Sequence, residues 1–171
     1  MKITGRNIKR RLYGIGKLPN RLSRAKYFRG HGVHSPFVYA IVRQVFMKSR
    51  LATDDRTLYD ALQAAGVPAK RAVQLQNLCL HCGYADFELN GIREGLDLVI
   101  LTREYPTDGL RAVVDEAKRT GATVAIMAPY DGRERENECR TIVAAHRGTT
   151  VDNRGYLLVF NNGLPKQHFR L

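Results

Sequence analysis

The stretch "DLVILTREYPTDGLRAVVDEAKRTGATVAIMA", residues 97–128, decides the fold class. Two short apolar runs, 97–101 and 122–128, flank the segment 109–121, whose apolar residues recur at helical spacing. Continuous apolar runs of this length are typical of parallel strands covered on both faces. The stretch therefore predicts a strand, a helix and a second strand in one layered domain.

The segments on either side continue this alternation. Downstream, 134–148 has the pattern of another amphipathic helix, and 149–162 is typical of a closing hairpin. Upstream, 57–66 predicts a helix and "RAVQLQNL", residues 71–78, predicts a strand. Strands that alternate with helices indicate an α/β doubly wound sheet, here with an antiparallel final pair.

The segment "RGHGVHSPFVYAIVRQVF", residues 29–46, contains a helix start. The Ser35 hydroxyl can cap free amides, and Pro36 suits the first helical position. His31 and His34 lie just before this helix, without an acid or cysteine nearby in the sequence. We interpret both histidines as hydrogen-bonding loop residues rather than metal ligands.

The net charge of +12 is concentrated at one end of the chain. Residues 1–50 hold 13 of the 28 lysines and arginines and none of the 16 carboxylates. We therefore divide the chain into a basic helical leader, 1–50, and a nearly neutral domain, 51–171. Such asymmetry favours a polyanionic partner such as RNA, although a leader that only packs on the body, or a membrane-surface helix, gives a similar pattern. The candidate nucleic-acid contacts in the leader are Arg10, Arg11, Lys17, Arg21, Arg24, Lys26, Tyr27, Phe28 and Arg29.

Several classes of protein do not fit the composition. No apolar run reaches the roughly 18 residues that a membrane-spanning helix needs. The N-terminal stretch lacks the apolar core and cleavage site of a secretory signal, and three cysteines do not form a disulfide framework. The expected location is the cytoplasm.

Both ends of the predicted fold resemble one family. The stretches "RGHGVHSPFVYAIV" (29–42) and "GYLLVFNNGLPKQHFRL" (155–171) are similar to the leader and the C-terminus of small bacterial class I S-adenosylmethionine-dependent methyltransferases of the O-methyltransferase type. Residues 97–148 follow the sheet order of that family. The resemblance implies a shortened, Rossmann-like methyltransferase-type sheet with an antiparallel C-terminal hairpin.

The same resemblance argues against methyl transfer. In that family the first strand ends in a turn of the form E-x-G-x-x-x-G, where glycine lets the backbone approach the cofactor. The corresponding stretch here is "QLQNLCLHCG", residues 74–83. It puts Gln74 at the acidic position, Gln76 at the first glycine and Leu80 near the second, with Gly83 beyond them. A side chain at Gln76 would project into the space of the ligand.

Two further departures concern length and strand ends. The family places two more βα units between its first and fourth strands, whereas residues 78–96 leave room for one crossover helix. Either two strands are missing, or one compressed strand at "DFELN", residues 86–90, survives with Glu88 as the candidate ribose acid. Thr102-Arg103 follows the strand that usually ends in an acid-glycine pair. Ala128-Pro129 stands where cation-dependent relatives carry paired aspartates, and Asp131 follows alone, so no metal site is expected.

Other chemistry receives weaker support. Cys79 and Cys82 have the spacing of a redox motif and, together with Cys139 and His146, that of a zinc site, although ordinary packing also explains them. No phosphate-binding loop or hydrolase motif is present, and Ser35 and Ser49 have no evident triad partners. Tyr105-Pro106 and Tyr130-Asp131-Gly132 follow predicted strand ends, where a remnant pocket would lie.

The sequence therefore favours a methyltransferase-like pseudoenzyme that binds no cofactor and uses its basic leader to bind RNA or another polyanion. Arginines interleaved with Tyr13, Tyr27 and Phe28 suit stacking on unpaired bases. One alternative is a minimal active S-adenosylmethionine-dependent methyltransferase. The other is an interaction module whose leader docks on a partner protein or on a second copy of the chain.

Overall fold

Residues 33–171 are described by a computed structural model, and they form a six-stranded mixed sheet with helices on both faces. The helices are α1 (Pro36–Ile41, continued by a π-helical turn, Val42–Phe46), α2 (Thr57–Ala64), α3 (Ala69–Cys82), α4 (Leu110–Thr120) and α5 (Arg133–Ala145). The strands are β1 (Phe87–Leu89), β2 (Leu98–Leu101), β3 (Thr123–Met127), β4 (Thr149–Asp152), β5 (Tyr156–Val159) and β6 (Gln167–Arg170).

The strands lie in the order β1-β2-β3-β5-β4-β6. The first three are parallel to one another, β5 is antiparallel to both β3 and β4, and β6 is parallel to β4. The predicted strands at 97–101 and 122–128 and the predicted hairpin at 149–162 are confirmed. This arrangement makes the chain an α/β protein.

Side chains of the central strands alternate between two cores. Leu98 and Ile100 of β2 face a core shared with α1, α2 and α3. Val99 and Leu101 of the same strand face a second core, shared with α4 and α5. Because both faces of the sheet are covered, β2 is apolar at every position and β3 at every position after Thr123, which is why both are recognisable in the sequence.

The helices predicted at 57–66, 109–121 and 134–148 are confirmed as α2, α4 and α5. The start of α1 is confirmed as well, because the Ser35 hydroxyl accepts a hydrogen bond from the Val38 amide at 3.4 Å and Pro36 occupies the first turn. His34, just before this cap, is exposed.

The strand predicted at 71–78 is wrong, because these residues lie in the middle of helix α3. Every residue from Ala72 to Cys79 is buried, so no polar face reveals the helical period. The alternation of Gln74 and Gln76 with apolar neighbours imitates the period of a strand. A short buried run of this kind does not distinguish a strand from a helix.

The buried amides of α3 hold the preceding loop instead of marking a cofactor turn. Gln74 donates a hydrogen bond to the Phe46 carbonyl at 3.0 Å, and Gln76 accepts one from the Tyr59 amide at 2.9 Å. Asn77 accepts a hydrogen bond from the Ala52 amide and donates one to the Arg50 carbonyl. Each amide thus satisfies backbone groups of residues 46–59 that α3 covers.

The placement of Gln74, Gln76, Leu80 and Gly83 at a strand-end turn is therefore corrected. Leu80 is exposed on α3, and Gly83 ends the helix in the left-handed conformation, with φ of 69°. Glycine is favoured at such a helix end because it has no Cβ to clash. None of these four positions lies at the end of a strand.

The nine predicted nucleic-acid contacts, Arg10 to Arg29, lie outside the described residues, as does His31. The division of the chain at residue 50 stays a prediction, but α1 and its π turn share one core with α2 and α3. Among the helices of residues 33–171, none combines the length and the apolar character that crossing a membrane requires.

Candidate functional site at the carboxyl edge of the sheet

One edge of the sheet gathers the strand ends that bind ligands in open α/β proteins. Strands β1, β2, β3, β4 and β6 all end at this edge, and the antiparallel strand β5 begins there. The edge therefore brings together the residues that follow each strand.

The ends of β1 and β2 are bridged by one side chain. Asn90 follows β1 with a positive φ of 60°, and its side-chain oxygen accepts a hydrogen bond from the Thr102 amide at 2.8 Å. The Asn90 amide in turn donates to the Ile100 carbonyl at 2.9 Å. The Asn90 carboxamide therefore lies between the ends of the two parallel strands and links them by a hydrogen bond.

The connection from β1 to β2 is short. Residues 90–97 return directly from the end of β1 to the start of β2 without a helix. Parallel strands usually need a crossover of a dozen or more residues. A shorter return suffices here because β1 has only three residues and lies at the edge of the sheet.

The ends of β2 and β3 are joined by a buried guanidinium. Arg135, on the first turn of α5, is 3% exposed and donates hydrogen bonds to the carbonyls of Thr102 at 2.9 Å, Tyr105 at 2.8 Å and Met127 at 3.1 and 3.2 Å. Burial lowers the pKa of Arg135. An arginine nonetheless keeps its charge under ordinary conditions, and these carbonyls replace the water that it loses.

The groups predicted to form a remnant pocket have separate roles. The Tyr105 carbonyl binds Arg135, whereas Tyr130 lines a cavity of about 280 Å³ between α5 and the strands β4, β5 and β6. Asp131, predicted to stand alone, forms a two-pronged ion pair with Arg103, with both N–O distances at 2.9 Å.

Inside that cavity, polar groups pair with one another. The Tyr130 hydroxyl donates to the Asp152 carboxylate, and Arg140 donates to Glu136 at 2.6 Å. His168 Nδ1 lies 2.8 Å from the Thr150 hydroxyl. Of these contacts only that between Arg140 and Glu136 is an ion pair. The contact between Thr150 and His168 places a hydroxyl beside an imidazole, but Thr150 is 2% exposed and its hydroxyl also donates to the Gln167 carbonyl at 3.4 Å, so it is held in the sheet rather than presented to a substrate.

Thr102 directly follows β2, at the strand end predicted for it from the sequence, and Glu88 lies on the neighbouring strand β1. Glu88 lies in the middle of β1, and its carboxylate is 3.6 Å from the Arg93 guanidinium. Thr102 uses its amide and its carbonyl to bind Asn90 and Arg135. Thr102 therefore joins the ends of β1 and β2 to α5, whereas Glu88 pairs with the connection that follows β1.

The cysteines are not brought together as a zinc site. Cys79 packs in the core on one face of the sheet, and Cys139 packs in the core on the other. His146 uses its ring nitrogen to bind the Phe160 carbonyl at 2.9 Å. Among the described residues no group of three metal-ligating side chains is close enough to hold an ion.

The thiols are also expected to react slowly. Burial raises the pKa of Cys79 and of Cys139 to about 12 and raises the pKa of Cys82 as well. Cys79 and Cys82 lie at the C-terminal end of α3, where the helix dipole disfavours a thiolate.

We expect iodoacetamide at pH 8 to label Cys79 and Cys139 at least a hundredfold more slowly in the native protein than in urea. A native thiol that reacts as fast as in the unfolded chain would contradict this, and mass spectrometry identifies the site.

Comparison of the chain with protein-family models, with curated proteins and with solved structures finds no match.

Proposed function

We propose that this chain is a methyltransferase-like pseudoenzyme that has lost cofactor binding and binds RNA through its basic leader. The observation that carries the first half of the proposal is the Asn90 bridge between the ends of β1 and β2. The charge distribution of residues 1–50 carries the second half.

The strand order supports a shortened methyltransferase-type sheet. In this proposal β1 corresponds to the first strand of the family and β2 to the fourth, so the two missing βα units fall in the connection 90–97. The final antiparallel strands, β4 and β5, correspond to the C-terminal hairpin of the family. The first strand is thus β1, not the segment 71–78.

With β1 as the first strand, the cofactor motif aligns at a different place. Glu88 takes the acidic position of E-x-G-x-x-x-G, Asn90 takes the first glycine and Glu94 takes the second. Asn90 keeps the positive φ that a glycine would provide, but its carboxamide occupies the gap between the strands. Within residues 33–171 β1 is the edge strand, so this part of the chain offers no neighbouring strand there to carry a ribose-binding acid.

Calorimetry tests the loss of cofactor binding. We expect titration of the full chain with S-adenosylmethionine, and separately with S-adenosylhomocysteine, to give no saturable heat up to about 1 mM ligand. A dissociation constant above 1 mM corresponds to a binding free energy weaker than about −4 kcal/mol. Saturable binding of either compound in the micromolar range would contradict the pseudoenzyme proposal. It would leave the RNA proposal standing, because the leader is tested separately.

A gel-shift series with single-stranded RNA tests the leader. The affinity should fall steeply as salt rises, because phosphate contacts release counterions. Replacing Arg10, Arg11, Arg21 and Arg24 by glutamate should weaken binding at least tenfold. The matched control makes the same change at four exposed arginines of the body, Arg93, Arg119, Arg133 and Arg147. Equal weakening by both sets would exclude the leader as the binding element.

A further inference from the structure

A groove of about 520 Å³ lies on the face of the sheet that α1, α2 and α3 cover. It is lined by residues 46–49 at the end of the π turn, by Tyr59 of α2 and by residues 69–73 at the start of α3. Known ligand pockets have volumes of about 300–1,000 Å³. The groove is therefore large enough to take part of a ligand, and three separate segments of the chain build it.

The groove carries positive charge. Lys48 and Lys70 both line it and are both exposed, and none of its lining residues is acidic. No ion pair joins either lysine to a carboxylate of residues 33–171. Two ammonium groups at one groove, without acids in its wall, favour an anionic ligand.

Two arginines are held beside the same groove. Arg43 Nη1 lies 3.8 Å from the sulfur of Met47, a lining residue that is 37% exposed. The Arg56 guanidinium carbon lies over the Tyr59 ring, 4.7 Å from its centre. Arg56 also pairs with Asp60 at 3.0 Å, so one of the four positive charges is offset. An excess of positive charge remains around a surface that includes an aromatic ring and a thioether.

The groove adjoins the described end of the basic leader. Arg43, Lys48 and Arg50 belong to this end, and residues 1–50 contain no carboxylate. The π turn packs in one core with α2 and α3, which fixes these charges on the body. Lys70, which is far from them in the sequence, joins them at the groove. The positive charge of the leader thus continues onto the surface of the body.

We propose that this groove binds part of a single-stranded RNA, with phosphates at Lys48 and Lys70 and an unpaired base beside Tyr59. The inference rests on the proposed function, since it places on the body a portion of the RNA that the leader binds. Proteins bind single-stranded nucleic acid through a positively charged groove combined with planar side chains on which bases stack. Tyr59 and Arg56 supply these planar groups.

Fluorescence anisotropy with a labelled single-stranded oligoribonucleotide tests the groove in the full chain. Lys48→Gln combined with Lys70→Gln should weaken binding at least tenfold. The slope of log affinity against log salt should fall by about 1.4, because each phosphate contact to a single strand contributes about 0.7.

The matched control is Lys118→Gln combined with Lys166→Gln, which removes the same charge from the other face of the sheet. Both lysines are exposed, Lys118 lies on α4, and Lys166 donates a hydrogen bond to the Ala144 carbonyl of α5. This variant should bind within twofold of the wild type. Equal weakening by the two pairs would mean that only the total charge matters, and the groove would be overturned as a site.

Two substitutions at Tyr59 test stacking separately from charge. Tyr59→Leu should weaken binding of the single strand at least about fivefold with an unchanged salt slope, whereas Tyr59→Phe keeps the ring and should bind like the wild type. Neither should change the binding of a duplex, whose bases are already stacked on one another. Equal weakening for single strand and duplex would indicate a structural role of Tyr59 and contradict the proposal. A polyglutamate peptide that binds as tightly as RNA would instead assign the groove to an acidic protein.

Photocrosslinking of the wild type locates the contact directly and needs no variant. RNA that carries 4-thiouridine should crosslink within residues 43–73, as identified by mass spectrometry. Crosslinks found only elsewhere, with RNA binding that the leader substitutions weaken and the lysine pair does not, would overturn this inference and leave the proposed function standing. Absence of any RNA binding by the wild type would overturn both.

Discussion

Replacing Arg135 by methionine should lower the free energy of unfolding by about 3–5 kcal/mol. The guanidinium satisfies the carbonyls of Thr102, Tyr105 and Met127 in a region that water does not reach. Methionine keeps the apolar stem of the side chain but lacks the guanidinium, so the loss combines the missing hydrogen bonds with the space that the guanidinium leaves. Urea unfolding followed by circular dichroism measures the change.

The matched control is Arg103→Met, which removes an arginine from the same strand ends. Arg103 pairs with Asp131, but its own side chain is about half exposed, so its loss should cost at most about 1 kcal/mol. If both substitutions lowered the free energy of unfolding by the same small amount, the buried guanidinium would not be what holds the ends of β2 and β3 together. The hydrogen bonds of the sheet would then be sufficient to hold them.

The parts of this fold that could be predicted from the sequence are those whose environment imposes one clear pattern. β2 and β3 are covered on both faces, so they appear as continuous apolar runs between polar turns. α4 is covered on one face only, so its apolar residues recur at helical spacing. Ser35-Pro36 marks a helix start through its own chemistry, whatever follows.

Helix α3 could not be predicted because its surroundings remove the evidence of its period. The sheet, α2 and the loop before α2 bury it over two full turns, and its polar residues bind that loop. The period of a helix is visible only where one face meets water. The wrong placement of the cofactor turn at residues 74–83 has the same cause, because aligning Gln76 with the first glycine of the family motif requires a strand at residues 71–78.

The residues of the carboxyl edge were missed for a related reason. Arg135 resembles any surface arginine of α5, although its spacing from Cys139 and Ile142, at i+4 and i+7, places it on the buried face. Asn90-Gly91 is a recognisable turn signal, but nothing in the sequence indicates that the Asn90 side chain binds Thr102. Contacts between distant strand ends depend on the sheet order, which local patterns do not specify.

Leu75→Ala should lower the free energy of unfolding by about 3–5 kcal/mol, because the side chain is fully buried in the core shared by α1, α2 and α3. Leu75 lies one helical turn from Leu78, which is also fully buried, so the space left by the lost methyl groups is held open by its neighbours. The measurement is urea unfolding at equilibrium, with the slope compared between variant and wild type to confirm that both unfold in the same way.

Leu80→Ala is the control, since it deletes the same atoms from the same helix five residues further on. Leu80 is 52% exposed, so its loss should change stability by less than about 0.5 kcal/mol, and alanine is itself a good helix former. The contrast depends on the helical period, because residues five apart lie on different faces of α3. Comparable losses in the two variants would mean that both leucines are buried, and the position of α3 against the sheet would then be wrong.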